Sequence, residues 1–236
     1  MPTFVVTGAS SGIGRATAAA LADRGADVIA VARRREPLAE LAATHDTVTA
    51  VVADLSTAEG IDTLVAAVPT DHPVDGIVHA AGSLVPVAPY RGLAADELTA
   101  HFRIHVATPI EITNRFADRL AGGRAIYIDS YSAGDPRDGW AGYSIVKAAA
   151  QMSARAAAQE LDDIDVVRIF PGGVRTELVE AVLDSPGSPA GDAFRAYDDA
   201  GQIAEPDEVG AFVAIIALLP RAELAEREFW DFNADR

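Results

Sequence analysis

A tyrosine and a lysine four residues apart, Tyr143-Ser-Ile-Val-Lys147, open a stretch with helical spacing. Residues at i and i+4 share a helix face, so a phenol and an ammonium can enter one cleft together. A free phenol titrates near ~10, and bringing it about three units lower takes roughly 4 kcal/mol of differential stabilisation. A neighbouring cation acts in that direction. The phenol can then give or take a proton near neutral pH. The lysine is the only one in the chain, beside 18 arginines. Arginine is a bulkier planar fork and a poor substitute where a compact ammonium must reach closely placed oxygens. An ordinary surface pair would tolerate it.

The second chemical feature is Thr7-Gly8-Ala9-Ser10-Ser11-Gly12-Ile13-Gly14. A pyrophosphate needs bare backbone and a helix N-terminus pointing at it. Gly8 allows a tight turn out of a strand, Gly12 lets backbone approach phosphates, and Gly14 lets the helix pack closely on the strand. The spacing is G-x-x-x-G-x-G, and its position between strand and helix is what gives it meaning. The elements that must hold these groups alternate along the chain. Strands are expected at Thr3–Thr7, Asp27–Ala32, Val48–Ala53, Gly76–Ala80, Arg124–Asp129, Asp165–Phe170 and Glu228–Phe232. Helices are expected at Ser11–Arg24, Glu36–Thr44, Thr57–Val68, Ala95–Leu120 (kinked at Pro109), Tyr143–Leu161 and Pro206–Leu219. Such alternation, with continuously apolar strands, predicts an α/β fold. A single doubly wound parallel sheet carries helices on both faces, as in the Rossmann fold.

Composition bounds the function. The 236 residues suit one large α/β domain spanning 1–236, and the net charge is −16. That charge repels phosphate backbones and argues against nucleic-acid partners. The absence of cysteine removes disulfides and thiol nucleophiles. The longest apolar run, Ala211–Leu219, has nine residues and is too short to span a bilayer. Met1–Val6 runs straight into the glycine loop, leaving no secretory segment, so a cytoplasmic protein is expected. Ser185–Asp192, rich in Pro, Gly and Ser, reads as a mobile loop.

With Thr7–Gly14, and with later motifs in the same order, the chain resembles the short-chain dehydrogenase/reductase family along nearly its whole length. The resemblance implies a nicotinamide dinucleotide held by Gly8, Ser10, Ser11, Gly12, Ile13 and Gly14. At the end of the second strand a dinucleotide site usually has an acid for the ribose 2′-hydroxyl. Here Ala32 is followed by Arg33, Arg34 and Arg35, which suit a 2′-phosphate instead and point to NADP(H). Three adjacent arginines cannot all face the cofactor, so part of this run is a solvated charge cluster. Arg33 is the first choice and Arg15, similar to a second basic residue of NADP-preferring members, the next. The resemblance assigns Asp54 to the adenine amino group, with Leu55 beside it, and places Ala81 and Gly82 against the cofactor. Pro171-Gly172-Gly173-Val174-Arg175-Thr176 is similar to the family's P-G-x-V-x-T segment, in which Val174 and Thr176 orient the carboxamide.

Ser130, thirteen residues before Tyr143, completes a set resembling the family's Ser-Tyr-Lys. Its hydroxyl would hold developing negative charge on a substrate oxygen. Lys147 would bind the ribose hydroxyls. Two departures stand out. The family's N-N-A-G reads His79-Ala80-Ala81-Gly82. His105 occupies the place of an asparagine that holds a water in the proton relay. His105 can replace that relay, join it or fill space. Neither histidine has the companions of a metal site. Asp129 stands where the family often has serine.

The substrate would be a small carbonyl or alcohol compound, partly apolar. Its pocket is expected from Pro136–Trp140, Leu84–Tyr90 and a loop at about 177–205, with Val85, Val87, Trp140 and Leu178 as candidates. The resemblance also implies a homotetramer or homodimer through the long helices Ala95–Leu120 and Tyr143–Leu161. The reading is thus an NADP(H)-dependent enzyme interconverting ketone or aldehyde and alcohol. The alternative is a cofactor-binding sensor on the same fold, which would have no need of a Ser–Tyr pair.

Overall fold

The computed structural model describes residues 1–83, 88–184, 189–224 and 227–236. Seven strands form one sheet: β1 Thr3–Thr7, β2 Asp27–Ala32, β3 Val48–Val52, β4 Gly76–His79, β5 Arg124–Ile128, β6 Asp165–Phe170 and, last in the chain, Phe229–Asp231. The order is β3-β2-β1-β4-β5-β6 and then Phe229–Asp231, and every neighbouring pair is parallel. The order reverses between β1 and β4, so a crevice opens at the carboxyl ends of those strands. β1 is buried at every position, as a parallel strand covered on both faces must be.

The helices are α1 Gly12–Ala22, α2 Arg35–Thr44, α3 Ala58–Ala67, α4 Ala95–Phe102, α5 Thr108–Leu120 and α6 Ala141–Glu160. Beyond β6 come the short strand β7 Gly173–Val174, helices α7 Glu177–Leu183 and α8 Pro189–Asp199, strand β8 Ile203–Ala204 and helix α9 Pro206–Leu218. The final sheet strand, Phe229–Asp231, is β9. One core lies under α1, α2 and α9, with Phe4, Leu21, Leu38, Val78 and Val213 in it. The other lies under α3, α5 and α6, with Ile61, Leu64, Ile77, Ile112 and Phe116. α9 is apolar nearly all round and buried on most of its surface, which accounts for the long apolar run. Arg124 Nη1 donates to the carbonyls of Ala217 and Leu219 at 2.7 Å each, closing the C-terminus of α9.

Three expectations are corrected. The helix expected over Ala95–Leu120 keeps its bounds but is not regular: it passes through a π-helical segment at Arg103–Ala107 between α4 and α5, with helical backbone at both junctions. The wider turn ends two residues before Pro109, so the irregularity sits beside the residue expected to kink the helix. The loop expected at Ser185–Asp192 is in part helix, because α8 begins at Pro189, and the substrate loop expected at about 177–205 is for the most part the helices α7 and α8 and the strand β8. Residues 185–188, and Val85 and Val87 of the expected pocket, lie outside the described residues. No helix among the described residues is long and apolar enough to cross a membrane.

Candidate active site

A cleft of about 1350 Å³ opens at the carboxyl ends of the central strands. That exceeds the ~300–1,000 Å³ of a site for one drug-sized ligand. The glycine loop forms one end. Gly8 has φ +71°, and a Cβ there would lie 2.7 Å from the Ala80 carbonyl oxygen and 2.8 Å from Ala81 Cα. A Cβ on Gly14 would lie 2.5 Å from the Gly8 carbonyl oxygen, so α1 starts hard against the loop. Ser11, at the α1 N-cap, makes no side-chain cap, and the first turn carries no acid. The helix thus presents open amide donors to the cleft, the arrangement an anion requires. These features fit a pyrophosphate. Thr7 Oγ1 fixes the far wall by accepting from the amides of Ala80 (3.1 Å) and Ala81 (2.9 Å).

Beyond the glycine loop, Arg33, Arg34, Asp54 and Leu55 line the cleft, as do Ala81 and Gly82. Arg34 Nε donates to Ser10 Oγ at 3.2 Å and its Nη1 to Glu177 Oε1 at 2.7 Å, joining the glycine loop to the start of α7. Arg15 is outside the lining and pairs with Glu40 at 3.3 Å. The Asp54 carboxylate accepts from the Ser56 hydroxyl and amide at 2.7 and 3.0 Å. These two bonds, with a smaller contribution from the Arg33 charge, lower its pKa. Leu55 is buried, and its carbonyl accepts from Thr108 Oγ1 at 2.8 Å. Pro171, Gly172, Val174 and Thr176 line the opposite wall. Thr176 caps α7, its Oγ1 accepting from Val179 N at 3.4 Å.

Ser130, Tyr143, Lys147 and His105 converge on the same cleft. α6 turns Tyr143 and Lys147 to one side, with the ammonium 6.0 Å from the phenol ring centroid. Lys147 is 8% exposed and donates to the Ile128 carbonyl at 2.9 Å. Ser130 follows β5, and its Oγ accepts from Ser132 N at 3.2 Å. Beneath it lies a polar cluster around the buried Asp129, whose other members, Arg168 and Gln151, are partly buried and absent from the expected site. Asp129 accepts from Ser130 N (2.7 Å), Arg168 Nη1 (2.9 Å) and Gln151 Nε2 (3.1 and 3.3 Å). Gln151 stands four residues after Lys147, as Lys147 does after Tyr143, so the three share one face of α6. That periodicity was the available signal for Gln151. Arg168 comes from the neighbouring strand and has no local signal.

His105 sits in the π-helical segment. Its Nε2 lies 3.1 Å from both the amide nitrogen and the carbonyl oxygen of Ser83, and a Cβ on Gly82 would touch the ring at 2.7 Å. Burial first, then the charge of Lys147, lowers its pKa to about 3, so the imidazole is neutral over the working pH range. His79 is also neutral, lowered to about 3 by burial. Its Nε2 lies 3.0 Å from Thr113 Oγ1, bracing β4 against α5.

A model of the short chain dehydrogenase family matches residues 2–186. An uncharacterized oxidoreductase of Bacillus subtilis, YvaG, is 34% identical over 195 residues, covering 78% of this chain and 72% of its own. The benzil reductase of the same organism, described as forming (S)-benzoin, is 25% identical over 94% of both chains. A crystal structure from Beutenbergia cavernae, provisionally assigned as an NAD(P)-dependent gluconate 5-dehydrogenase, holds NADP at low occupancy. It is 26% identical, covers 98% of this chain and 94% of that one, and superposes with a TM-score of 0.84. With a glycine loop feeding an uncapped helix, and a tyrosine and lysine turned into the cleft it opens on, this chain belongs to the short-chain dehydrogenase/reductase family of nicotinamide-dependent oxidoreductases.

Proposed function

We propose that the protein is an NADP(H)-dependent reductase or dehydrogenase that interconverts a ketone or aldehyde and the corresponding alcohol. The observation that carries this is the convergence of Ser130, Tyr143 and the buried Lys147 on one cleft. A bound nicotinamide supplies or takes the hydride at the carbonyl carbon. Tyr143 gives its hydroxyl proton to the carbonyl oxygen in reduction and takes it back in oxidation. The Ser130 hydroxyl orients that oxygen and holds its developing charge. Lys147, tied to Ile128 but with no carboxylate partner among the described residues, stands on the same side of α6 as the phenol and has two further donors for ribose hydroxyls.

Gly8, Ser10, Ser11, Gly12, Ile13 and Gly14 would hold the pyrophosphate at the start of α1. Asp54 and Leu55 would bind the adenine, Ala81 and Gly82 would border the ribose, and the Pro171–Thr176 segment would hold the carboxamide. Ala32, Arg33 and Arg34 favour a 2′-phosphate over a bare hydroxyl. Tyr143→Phe should abolish turnover over a panel of carbonyl compounds while leaving NADPH affinity nearly intact. Retained turnover overturns the assignment. Fluorescence titration should show NADPH bound at least about tenfold tighter than NADH, as a charge-assisted guanidinium–phosphate contact implies. Equal affinities would refute the role of the arginines.

A further inference from the structure

The wall of the cleft beyond Tyr143 is aromatic. The rings of Tyr143 and Trp140 lie 4.9 Å apart at 62°. Trp140 and Phe194 follow at 5.2 Å, and Phe194 and Tyr197 at 6.0 Å and 90°. Arg137 covers the outermost ring, its guanidinium carbon 5.7 Å from the Tyr197 centroid and its Nη1 3.4 Å from Tyr197 Oη. All five side chains line the cleft. They come from the loop before α6, from α6 itself and from α8. Packing explains the inner part, because Trp140 is 5% exposed and shares a small apolar cluster with Val182, Leu178, Tyr143 and one side of Phe194, which is itself only partly buried. It does not explain the outer part, where Tyr197 is 37% exposed.

The charge of Arg137 is also unspent. Two other guanidiniums of the cleft are neutralised, Arg34 by Glu177 and Arg168 by Asp129. Arg33 stands at the nucleotide end. Arg137 has no carboxylate partner among the described residues; its contacts are to Tyr197. In a chain of net charge −16, an anionic substrate meets a repulsive surface and needs a local cation to enter. Of the five guanidinium donors, one reaches Tyr197 Oη, and the others remain for a carboxylate.

We propose that the substrate is an aryl ketone or aldehyde bearing a carboxylate or similar anionic group remote from the carbonyl. Its ring lies against Trp140 and Phe194, its anion meets Arg137, and its carbonyl faces Tyr143 and Ser130. This rests on the reading of Tyr143 and Ser130 given above. In the reduction the hydride forms the new C–H bond, the Tyr143 proton forms the O–H bond, and the carboxylate is unchanged.

The test is binding, measured by tryptophan fluorescence quenching of the cofactor-free protein with 4-acetylbenzoate and acetophenone, and by displacement with the aliphatic keto acid levulinate. 4-Acetylbenzoate should bind about tenfold tighter than either of the others, the scale of one charge-assisted pair or one aromatic contact set. Arg137→Gln should bring 4-acetylbenzoate to the level of acetophenone and leave acetophenone unchanged. Phe194→Leu should weaken both aryl compounds and spare levulinate. In the wild type, added salt should weaken 4-acetylbenzoate alone, which tests the charge without any variant. Equal binding of 4-acetylbenzoate and acetophenone, or equal weakening of both by Arg137→Gln, overturns the proposal. Turnover with NADPH is scored separately. Ligand selectivity without turnover of any ketone overturns the enzymatic reading and upholds the ligand class; turnover without that selectivity does the reverse.

Discussion

Asp129 and Arg168 show how much of the candidate site rests on a contact behind it. The Asp129 side chain is 3% exposed and that of Arg168 17%, and the carboxylate also fixes the Ser130 amide. Removing one member of a buried pair leaves the other charge uncompensated, which typically costs about 3–5 kcal/mol. Arg168→Met should therefore lower the unfolding free energy by about 3 kcal/mol, read from denaturant midpoints at constant slope. Asp129→Asn should cost less, because the amide oxygen still accepts from Ser130 N. Equal losses would show that the retained Ser130 contact carries no weight. At this scale the sequence was most readable where chemistry is local. Tyr143, Lys147 and the glycines sit at fixed short spacings. Asp129 was noticed only as an unexpected acid, and its partner 39 residues away has no trace in the local pattern.

Among elements, α7 has the clearest consequence. Its first residue, Glu177, holds Arg34 across the cleft mouth, and a Cβ on Gly12 would lie 3.0 Å from the Thr176 side chain. A 2′-phosphate binding to Arg34 must compete with that carboxylate. Exposed pairs of this kind are worth about 0.2–1 kcal/mol, so Glu177→Gln should tighten NADPH by about two- to fivefold and leave NADH unchanged. Paired titrations decide it; an equal gain for both would place the effect on general access instead. The same segment is anchored from behind by Arg175, which contacts Glu180 in α7, Asp198 in α8 and Glu205 before α9. This network explains why α7 and α8 escaped the sequence reading. α7 has only seven residues, and the helicity of both depends on tertiary ties as well as on apolar periodicity. β1, β2 and β6 match residue for residue because each is built on β-branched and apolar residues bounded by turn formers, even though Arg168 interrupts β6. The π-helical turn at Arg103–Ala107 adds a residue to the helical register without any residue type that announces it.

The molecule as a whole should be acid-sensitive. His79 and His105 are held neutral down to about pH 3 in the folded chain, whereas an unfolded imidazole takes its proton near ~6.5. The unfolded state thus binds more protons between these limits. The stability contributed by burial is complete above about 6.5 and is lost progressively as the pH falls toward 3. Melting temperatures should decline from pH 7 to pH 5, where ordinary carboxylates are still ionised, and His105→Asn should flatten the decline. A slope unchanged in that variant would mean that the ring takes a proton without unfolding. The solitary lysine has a consequence of another kind. Apart from the chain's own α-amine, an acylating reagent selective for primary amines finds a single target, and that target is 8% exposed at the foot of the cleft. A label at Lys147, separated by peptide mapping from that on the exposed α-amine, slowed by NADPH and accompanied by inactivation, would turn ordinary protein-modification chemistry into a count of competent sites.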